Sequence, residues 1–560
     1  MNRRQVIAVF VCIACCIAMR AAAEVSPALQ LAQLENRLHQ AQAIRDIKRL
    51  QYSYAHYAET GLWLDLGDLF AANGVAHYAQ GDFRGPESLR QFYLKELGRG
   101  QMGLADGRIY PHIMIQPVVN VAEDGKTANG RWHVIAMLGG YGTSASWAGV
   151  VYENRYVFED GVWKINELSY NSQYSARYNP PGLSLSKWDL PYHFTAKTAG
   201  ASSSGSGSGV PAGSANFEEL QRRFAEVARG AQTLRDESDV LNLQHAYGYE
   251  IDQKQWEQVA NLFSVDGTLE LGQSGVYAGR ERIRRALSVL FTEEVQDHLQ
   301  LATMVHVSPD GRSAKARGVQ LSVSGVKGKS AQWEEGIFEN EYVRETGVWK
   351  IRSLHYYPRV ITDYDLGWAK DAKPAPKSST VFPPDRPPTE TYEIYPKTYF
   401  PRFHYTNPVT GVKPGPADAA VSDLPKNSRE LAARLTQVER QIEASMAYDS
   451  VENLVSAYGY YLDDSRDGLR GLYASALSDT EAGNSSAIHQ TVQPIIQIAA
   501  DGKSATLHAR LLKVGGKAGE LASGVYDGRA INRDGVWRLQ SMTLKPEWSS
   551  PFVQWKPEIK

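Results

Sequence analysis

Apolar side chains recur at three- and four-residue steps in the segment "VLNLQHAYGYEID", where Leu243, Tyr247 and Ile251 fall on one helical face. The same spacing and the same tyrosine occur at two further places, so that Tyr54, Tyr247 and Tyr458 align without gaps. The pattern therefore predicts three equivalent helices spread along one chain.

Downstream of each helix, apolar and polar positions alternate, as in strands with one buried face. Each block predicts a strand, an Asp-Gly turn and a returning strand, and then a second hairpin around a shared Gly-Val-Trp sequence. The first strands begin at His112, His298 and His489, and the tryptophans, which we expect in the core, are Trp163, Trp349 and Trp537. Because helix and strand blocks recur in one order, the predicted fold class is α+β in three tandem units.

Composition places the boundaries of these units. The predicted segments are a signal peptide at 1–23, unit one at 28–175, an aromatic tail and Gly/Ser linker at 176–215, unit two at 216–360, a proline-rich linker at 361–427 and a degenerate unit three at 428–549. The interval from Tyr473 to His489 is less than half as long as that from Phe263 to His298. We therefore expect unit three to be truncated and its pocket to be open.

The first 23 residues have a basic start, an apolar run and three alanines before the expected cleavage site, which is typical of a secretory signal. All three cysteines, Cys12, Cys15 and Cys16, lie there, so the mature chain would contain no disulfide, thiolate metal site or cysteine nucleophile. We expect a periplasmic or secreted protein without a transmembrane segment, and favour this over lipid anchoring.

Two further features bear on how the units meet. An amphipathic helix is predicted ahead of each tyrosine-rich helix, and its apolar stripe needs a partner, either the following unit or the other two stripes. The tails "PYHFTAKTAG" and "RFHYTNPVTG" align His193 with His404 between aromatic residues. These tails could be lids over a pocket, but we favour a role in stapling successive units together through aromatic burial.

At this point the sequence resembles the SnoaL-like branch of the nuclear transport factor 2-like superfamily. The resemblance rests on "YGYEIDQKQWEQVANLFSVDGTLEL", "GRERIRRAL" and "FENEYVRETGVWKI" in unit two, with counterparts in unit one. It implies three cone-shaped α+β barrels, each with a bent antiparallel sheet around a pocket that helices close. Members include ketosteroid isomerases, polyketide cyclases, scytalone dehydratase, epoxide hydrolases and non-catalytic binders, so the fold assigns no reaction.

The similarity to scytalone dehydratase implies catalytic roles for a strand histidine and helix tyrosines. In unit one this gives His112 as base and Tyr54 as hydrogen-bond donor, with His56, Arg131 and His133 supporting. Arg131 and His133 share one strand face and could converge with His112. That enzyme's helix aspartate aligns with His56, and the nearest acid, Glu59, lies three positions further on.

In unit two the implied set is His298, with Tyr247, Tyr249, Asp252 and Arg317. Whether Asp252 faces the pocket is left open by the sequence. Each residue also has a structural interpretation: the histidine could bond a helix end, the tyrosine could pack between helix and sheet, and the acid could be a solvated or capping residue.

Charge and composition exclude several classes of partner. Loss of Arg3, Arg4 and Arg20 with the signal takes the formal net charge from −2 to −5, which gives no case for nucleic acid or anionic membrane. We expect no cofactor and no metal. The favoured hypothesis is a cofactor-independent dehydratase, isomerase or lyase acting on a medium-sized, partly apolar molecule. The alternative is a non-catalytic multi-pocket binding or interaction scaffold, and sheet-to-sheet pairing of units is expected within or between chains.

Overall fold

The computed structural model describes residues 26–186, 190–201, 216–411, 424–475, 487–516 and 519–559. The predicted signal peptide and most of the Gly/Ser linker lie outside these residues. Within them, three α+β units follow one another in the expected order, and the predicted fold class is confirmed.

The elements of each unit follow the chain. Unit one consists of α1 (Pro27–Thr60), α2 (Trp63–Gly67), β1 (Phe70–Tyr78), β2 (Gly81–Arg84), α3 (Gly85–Phe92), a π-helical turn (Tyr93–Leu97), β3 (Arg108–Ile109), β4 (His112–Val121), β5 (Thr127–Gly140), β6 (Ser144–Glu159), β7 (Val162–Tyr178) and β8 (Pro181–Leu185), followed by α4 (Ala196–Ala199) in its tail. Unit two consists of α5 (Phe217–Asp252), α6 (Trp256–Leu262), β9 (Phe263–Leu271), β10 (Val276–Ala278), α7 (Arg280–Leu290), β11 (Val295–Val307), β12 (Ser313–Val326), β13 (Ser330–Glu345) and β14 (Val348–Asp363). Unit three consists of α8 (Ser428–Asp464), α9 (Arg466–Leu472), β15 (Ala487–Ile498), β16 (Ser504–Gly515), β17 (Glu520–Arg533), β18 (Val536–Pro551) and β19 (Glu558–Ile559).

Each unit has one sheet whose long strands are antiparallel neighbours. In units one and two, the first strand pairs in parallel with the last long strand, β1 with β7 and β9 with β14. In unit three an isolated parallel bridge between Tyr473 and Leu539 takes this place. Residues 476–486, where the missing wall was predicted, lie outside the described part of the chain.

The two faces of each sheet have different partners because side chains alternate along a strand. The inner face of unit one packs against its helices in a core that contains Met114, Trp132 and Val134. The outer face, with Ile113, Ile115 and neighbours, joins a second apolar cluster to which all three sheets contribute. The three sheets therefore meet through their outer faces.

The amphipathic and tyrosine-rich segments form one continuous helix in each unit, rather than two helices. Asn216 and Asn427 cap the starts of α5 and α8 by accepting a backbone N–H bond three residues on, and Ser26 does the same for α1. The apolar stripes of the three N-terminal halves pack on one another, with Leu34, Val227 and Leu435 among the buried contacts. The sequence left two partners open for each stripe, the following unit or the other two stripes. In the structure each stripe packs on the other two.

The proline-rich segment after β14 is folded against units one and two rather than extended as a free tether. Its backbone bonds β10 at Val276, the Oη of Tyr395 donates to the carbonyl of Trp368, and Lys397 pairs with Asp106 of unit one. No helix of the described residues is long and apolar enough to span a membrane.

Candidate functional site

A histidine–carboxylate pair lies inside unit two, between the end of α5 and the start of β11. Nδ1 of His298 is 2.6 Å from Oδ1 of Asp252, and the backbone N–H of His298 also donates to that carboxylate at 3.0–3.1 Å. Both side chains are almost fully buried. Since Asp252 is the last residue of its helix, its carboxylate reaches the strand and fixes the Nδ1–H tautomer of the imidazole.

The charges around His298 make its imidazole a stronger base than a free histidine. Burial alone would lower the pKa of His298, but the attraction and hydrogen bond of Asp252, with Glu334 and Asp297 nearby, outweigh burial and raise it. Glu334 lies on the same face of the sheet as His298, because both pair with Ser322. Burial raises the pKa of Glu334. Within the described residues, Nε2 of His298 makes no hydrogen bond, so this nitrogen is left for a ligand.

Unit three repeats the pair. Nδ1 of His489 is 2.7 Å from Oδ1 of Asp463, whose carboxylate also accepts the backbone N–H of His489. Burial raises the pKa of Asp463 to about 6, although His489 opposes the shift. The acid position of the helix therefore orients the strand histidine in two of the three units.

Unit one departs from this arrangement. Nε2 of His112 lies 3.2 Å from Oη of Tyr152, and its ring stacks on Tyr110. Burial lowers the pKa of His112 to about 4, although Glu59 opposes the shift, so the imidazole is neutral near pH 7. Three tyrosine hydroxyls form a hydrogen-bonded chain. Oη of Tyr54 lies 3.2 Å from Oη of Tyr78, and Oη of Tyr78 lies 3.0 Å from Oη of Tyr93.

Arg131 and His133 do not converge with His112. His112 pairs with Ala136 of β5, whereas His133 pairs with Ile115, so the strand alternation puts His112 and His133 on opposite faces. The same alternation separates Arg317 from His298 in unit two, where His298 pairs with Ser322. Arg131 and His133 share one face of β5, as predicted, but this face is opposite to the one on which His112 of β4 lies.

His56 and Tyr249 also point away from their own cones, into the junction with the next unit. Nε2 of His56 lies 3.3 Å from the carbonyl of Ala302, and Oη of Tyr249 donates to the carbonyl of Gln493. Tyr460, at the same position of unit three, donates to the carbonyl of Gln116 of unit one at 3.0 Å. Each acceptor lies at a strand bulge with a positive φ. The helices thus contact the next sheet in a closed cycle.

Arg131 and Arg317 anchor the two aromatic tails. Arg131 binds Glu153 at 2.6 Å, donates to the Leu190 carbonyl and lies 4.1 Å below the ring of Tyr192. In unit two, Arg317 has the same three partner types, which are Glu339, the carbonyl of Pro401 and the ring of Phe403 at 4.0 Å. Each tail also touches another unit: Tyr192 contacts Tyr460, and Phe403 contacts Tyr57. Each tail therefore bridges two units, as the stapling interpretation predicts.

Tyr247 lies in the cone core of unit two, where burial raises the pKa of its hydroxyl. The sequence did not single out Arg510 of β16, which binds both Asp252 and Asp297 of unit two and Glu547 of its own unit. Arg510 is fully buried. An arginine at an otherwise apolar strand position was the available signal, since such a residue is rarely buried without partners.

Each described unit is thus an α+β cone with a helix-capped inner face, and the three cones are tandem copies. Residues 39–169 and 232–355 match the model of the SnoaL-like domain family, so the chain carries two tandem SnoaL-like domains. Unit three lies outside these ranges and shares the helix and strand order. Within the described residues, no three histidine, cysteine or carboxylate side chains are grouped as metal ligands.

Three solved structures are similar to parts of the chain. A putative scytalone dehydratase from Novosphingobium aromaticivorans is 20% identical with a TM-score of 0.22, covering 25% of this chain and 95% of its own. Two hexachlorocyclohexane dehydrochlorinases, one of them from Novosphingobium barchaimii, are each 20% identical over 24% of this chain and 90–92% of their own, with TM-scores of 0.22. Comparison with curated protein sequences found no match.

Proposed function

We propose that unit two is the catalytic unit of a cofactor-independent acid–base enzyme of the dehydratase, isomerase or lyase type. The observation that carries this proposal is the buried Asp252–His298 pair, whose Nε2 has no protein partner among the described residues. Asp252 holds the imidazole in the tautomer that can accept a proton at Nε2, and it stabilises the imidazolium that forms.

Glu334 is the second group for such a reaction. It faces the same side of the sheet, and a carboxyl whose pKa is raised by burial can give a proton to a leaving hydroxyl or receive one back. Proton abstraction by His298 and proton donation by Glu334 would together eliminate water or shift a double bond without a cofactor. The roles proposed from sequence for His112 and Tyr54 remain a proposal for unit one, where no carboxylate bonds the histidine.

The substrate class follows from the surrounding side chains. Phe291 contacts the His298 ring at a centroid distance of 5.2 Å, and Tyr247 and Tyr356 belong to the same core. A medium-sized, partly apolar molecule with a carbonyl or hydroxyl suits these walls. We further propose that the protein is exported and that its three units pair within one chain.

A binding scaffold without catalysis is the second candidate. The observation that favours it is that His56, Tyr249, Arg131, His133 and Arg317 all serve contacts between units or with the tails. These contacts hold the three cones in a fixed array, as a multi-pocket binder requires.

The test starts with a thermal-shift screen of the mature chain against aromatic, steroid and polyketide-like ligands, followed by turnover assays of every hit. We expect H298Q and D252N to lower turnover at least about 100-fold while a hit still binds. The matched control is H489Q, which breaks the same pair in unit three and should leave turnover unchanged. Turnover that survives H298Q, or that H489Q removes equally, would contradict catalysis in unit two. Ligand binding without turnover would favour the scaffold.

A further inference from the structure

A cavity lies outside the cones, where α1 of unit one, the end of β11 and the tail of unit two meet. Its volume is about 550 Å³, within the range of small-molecule pockets. Its walls include Leu50, Trp163, His306, Val307 and Tyr405. None of these belongs to the Asp252–His298 pair, so this cavity is separate from the proposed catalytic pair.

A chain of hydrogen-bonded side chains ends at this cavity. Oε2 of Glu339 is 2.7 Å from Nδ1 of His404, and Nε2 of His404 is 2.9 Å from Nδ1 of His306. The carboxylate accepts a hydrogen bond from Nδ1–H of His404; in the tautomer whose Nε2 is an acceptor, His404 receives a hydrogen bond from Nδ1–H of His306. Nε2 of His306 is then a hydrogen-bond acceptor, and it has no partner among the described residues.

The surroundings of His306 keep its ring neutral. Burial lowers the pKa of His306 to about 2, with contributions from Arg49 and His404, so the ring is neutral at any ordinary pH. Arg49 itself is bound by Asp46 at 2.6 Å and by Glu237 at 2.8 Å. Because two carboxylates surround one guanidinium here and leave a net negative charge, the cavity is a poor site for an anion.

Flat apolar surface lies beside the acceptor. The Tyr405 ring stacks on His306 at a centroid distance of 5.4 Å and an interplanar angle of 25°. Leu50, Trp163 and Val307 add apolar wall. An aromatic ring can pack on this surface while a hydroxyl on that ring reaches Nε2 of His306.

We propose that this cavity is a binding site for an uncharged aromatic alcohol, a phenol or naphthol, whose hydroxyl donates to His306 and whose ring packs on the Tyr405 side. The ligand is not an anion because two carboxylates surround the single guanidinium of Arg49, and it is a hydrogen-bond donor because His306 offers an acceptor.

The tail of unit one provides a natural comparison. There His193 is bound by Glu153 in the same way, but its Nε2 meets Oδ1 of Asn120 at 3.2 Å instead of a second imidazole. That junction has a smaller cavity of about 300 Å³. H306N therefore gives unit two the arrangement that unit one already has, with the tail bond preserved and the acceptor ring removed.

The experiment is isothermal titration calorimetry of the full chain with 2-naphthol. We expect the wild type to bind, H306N to bind about fivefold more weakly through loss of one hydrogen bond, and V307W to abolish binding by filling the cavity. H298Q should bind as the wild type does, which separates this site from the proposed catalytic pair. Equal melting temperatures of H306N and wild type show that the tail remains docked.

Two outcomes would overturn the proposal. One is that 2-naphthol does not bind the wild-type chain. The other is that H306N and V307W both bind it with wild-type affinity, which would place the ligand elsewhere.

Discussion

One helix position takes two kinds of partner in the three units. Glu59 bonds His56 of its own helix at 3.0 Å, Asp252 bonds His298, and Asp463 bonds His489. Within the described part of the chain, Glu59 does not bond the strand histidine of its unit, and it forms a buried ion pair with Arg359 of unit two. An acid at this helix position can therefore contact either the strand histidine of its own unit or a residue of the next unit, and its position in the sequence does not decide which.

At this scale we predict that His112 makes the protein acid-sensitive. Its pKa is about 4 in the folded chain and near 6.5 when unfolded, so the unfolded state binds the proton first as pH falls. The free energy of unfolding should fall by about 3 kcal/mol between pH 7 and pH 4 from this residue. Urea midpoints at both pH values should show a smaller fall for H112Q than for the wild type.

The control for that measurement is the exposed His77, whose replacement by glutamine should leave the pH dependence unchanged. If H112Q loses as much stability on acidification as the wild type does, the assignment of this acid sensitivity to His112 is wrong.

At the scale of elements, the junctions between units differ in chemistry although their geometry repeats. The α5 to unit three junction is ionic, with Arg510 between Asp252 and Asp297. The α8 to unit one junction is neutral, with His133 between Gln116, Gln173 and the Tyr460 ring. Unlike junctions favour one order of units around the cycle over the alternatives.

We therefore predict a large cost for removing Arg510. R510M leaves Asp252, Asp297 and Glu547 buried without their cation, which should lower the free energy of unfolding by about 3–5 kcal/mol. Urea unfolding of R529M, which changes an exposed arginine of the neighbouring strand, is the control and should differ by no more than about 0.5 kcal/mol. An R510M chain as stable as the wild type would show that the network contributes nothing.

At the scale of the whole molecule, three long helices and three outer sheet faces are buried within one chain. Lys48 of unit one binds Asp449 of unit three at 2.8 Å and also Glu452, while Arg49 binds Glu237 of unit two. A basic α1 thus meets acidic segments of α5 and α8. Three copies of α1 alone would place like charges together, so the charge pattern favours pairing within one chain.

This predicts that the mature chain is a monomer by size-exclusion chromatography with light scattering. K48E puts a third carboxylate beside Asp449 and Glu452, and we expect it to loosen the contact between units one and three, seen as a larger hydrodynamic radius. The exposed Lys95, reversed to glutamate, is the control. A wild-type dimer or trimer would contradict pairing within the chain.

Much of the architecture could be predicted from sequence because repetition reports periodicity three times over. Equivalent elements were predicted correctly from two repeated sequence patterns, the tyrosine-rich helix segments around Tyr54, Tyr247 and Tyr458 and the Gly-Val-Trp hairpins. The predicted site was less complete, since Arg131, His133 and Arg317 lie on the face opposite the histidines. Alternation fixes which residues share a face within one strand, but the register between strands decides which faces coincide.

The sequence by itself determined the triplicated α+β units and the burial of the shared tryptophans, because these depend on local spacing. Only the tertiary structure decided which acids reach a histidine, that His56, Tyr249 and Tyr460 bond the next unit, and that His404 meets His306. Those contacts join residues 26 to 344 positions apart, and they are set by how packed elements and units close on one another rather than by any local pattern.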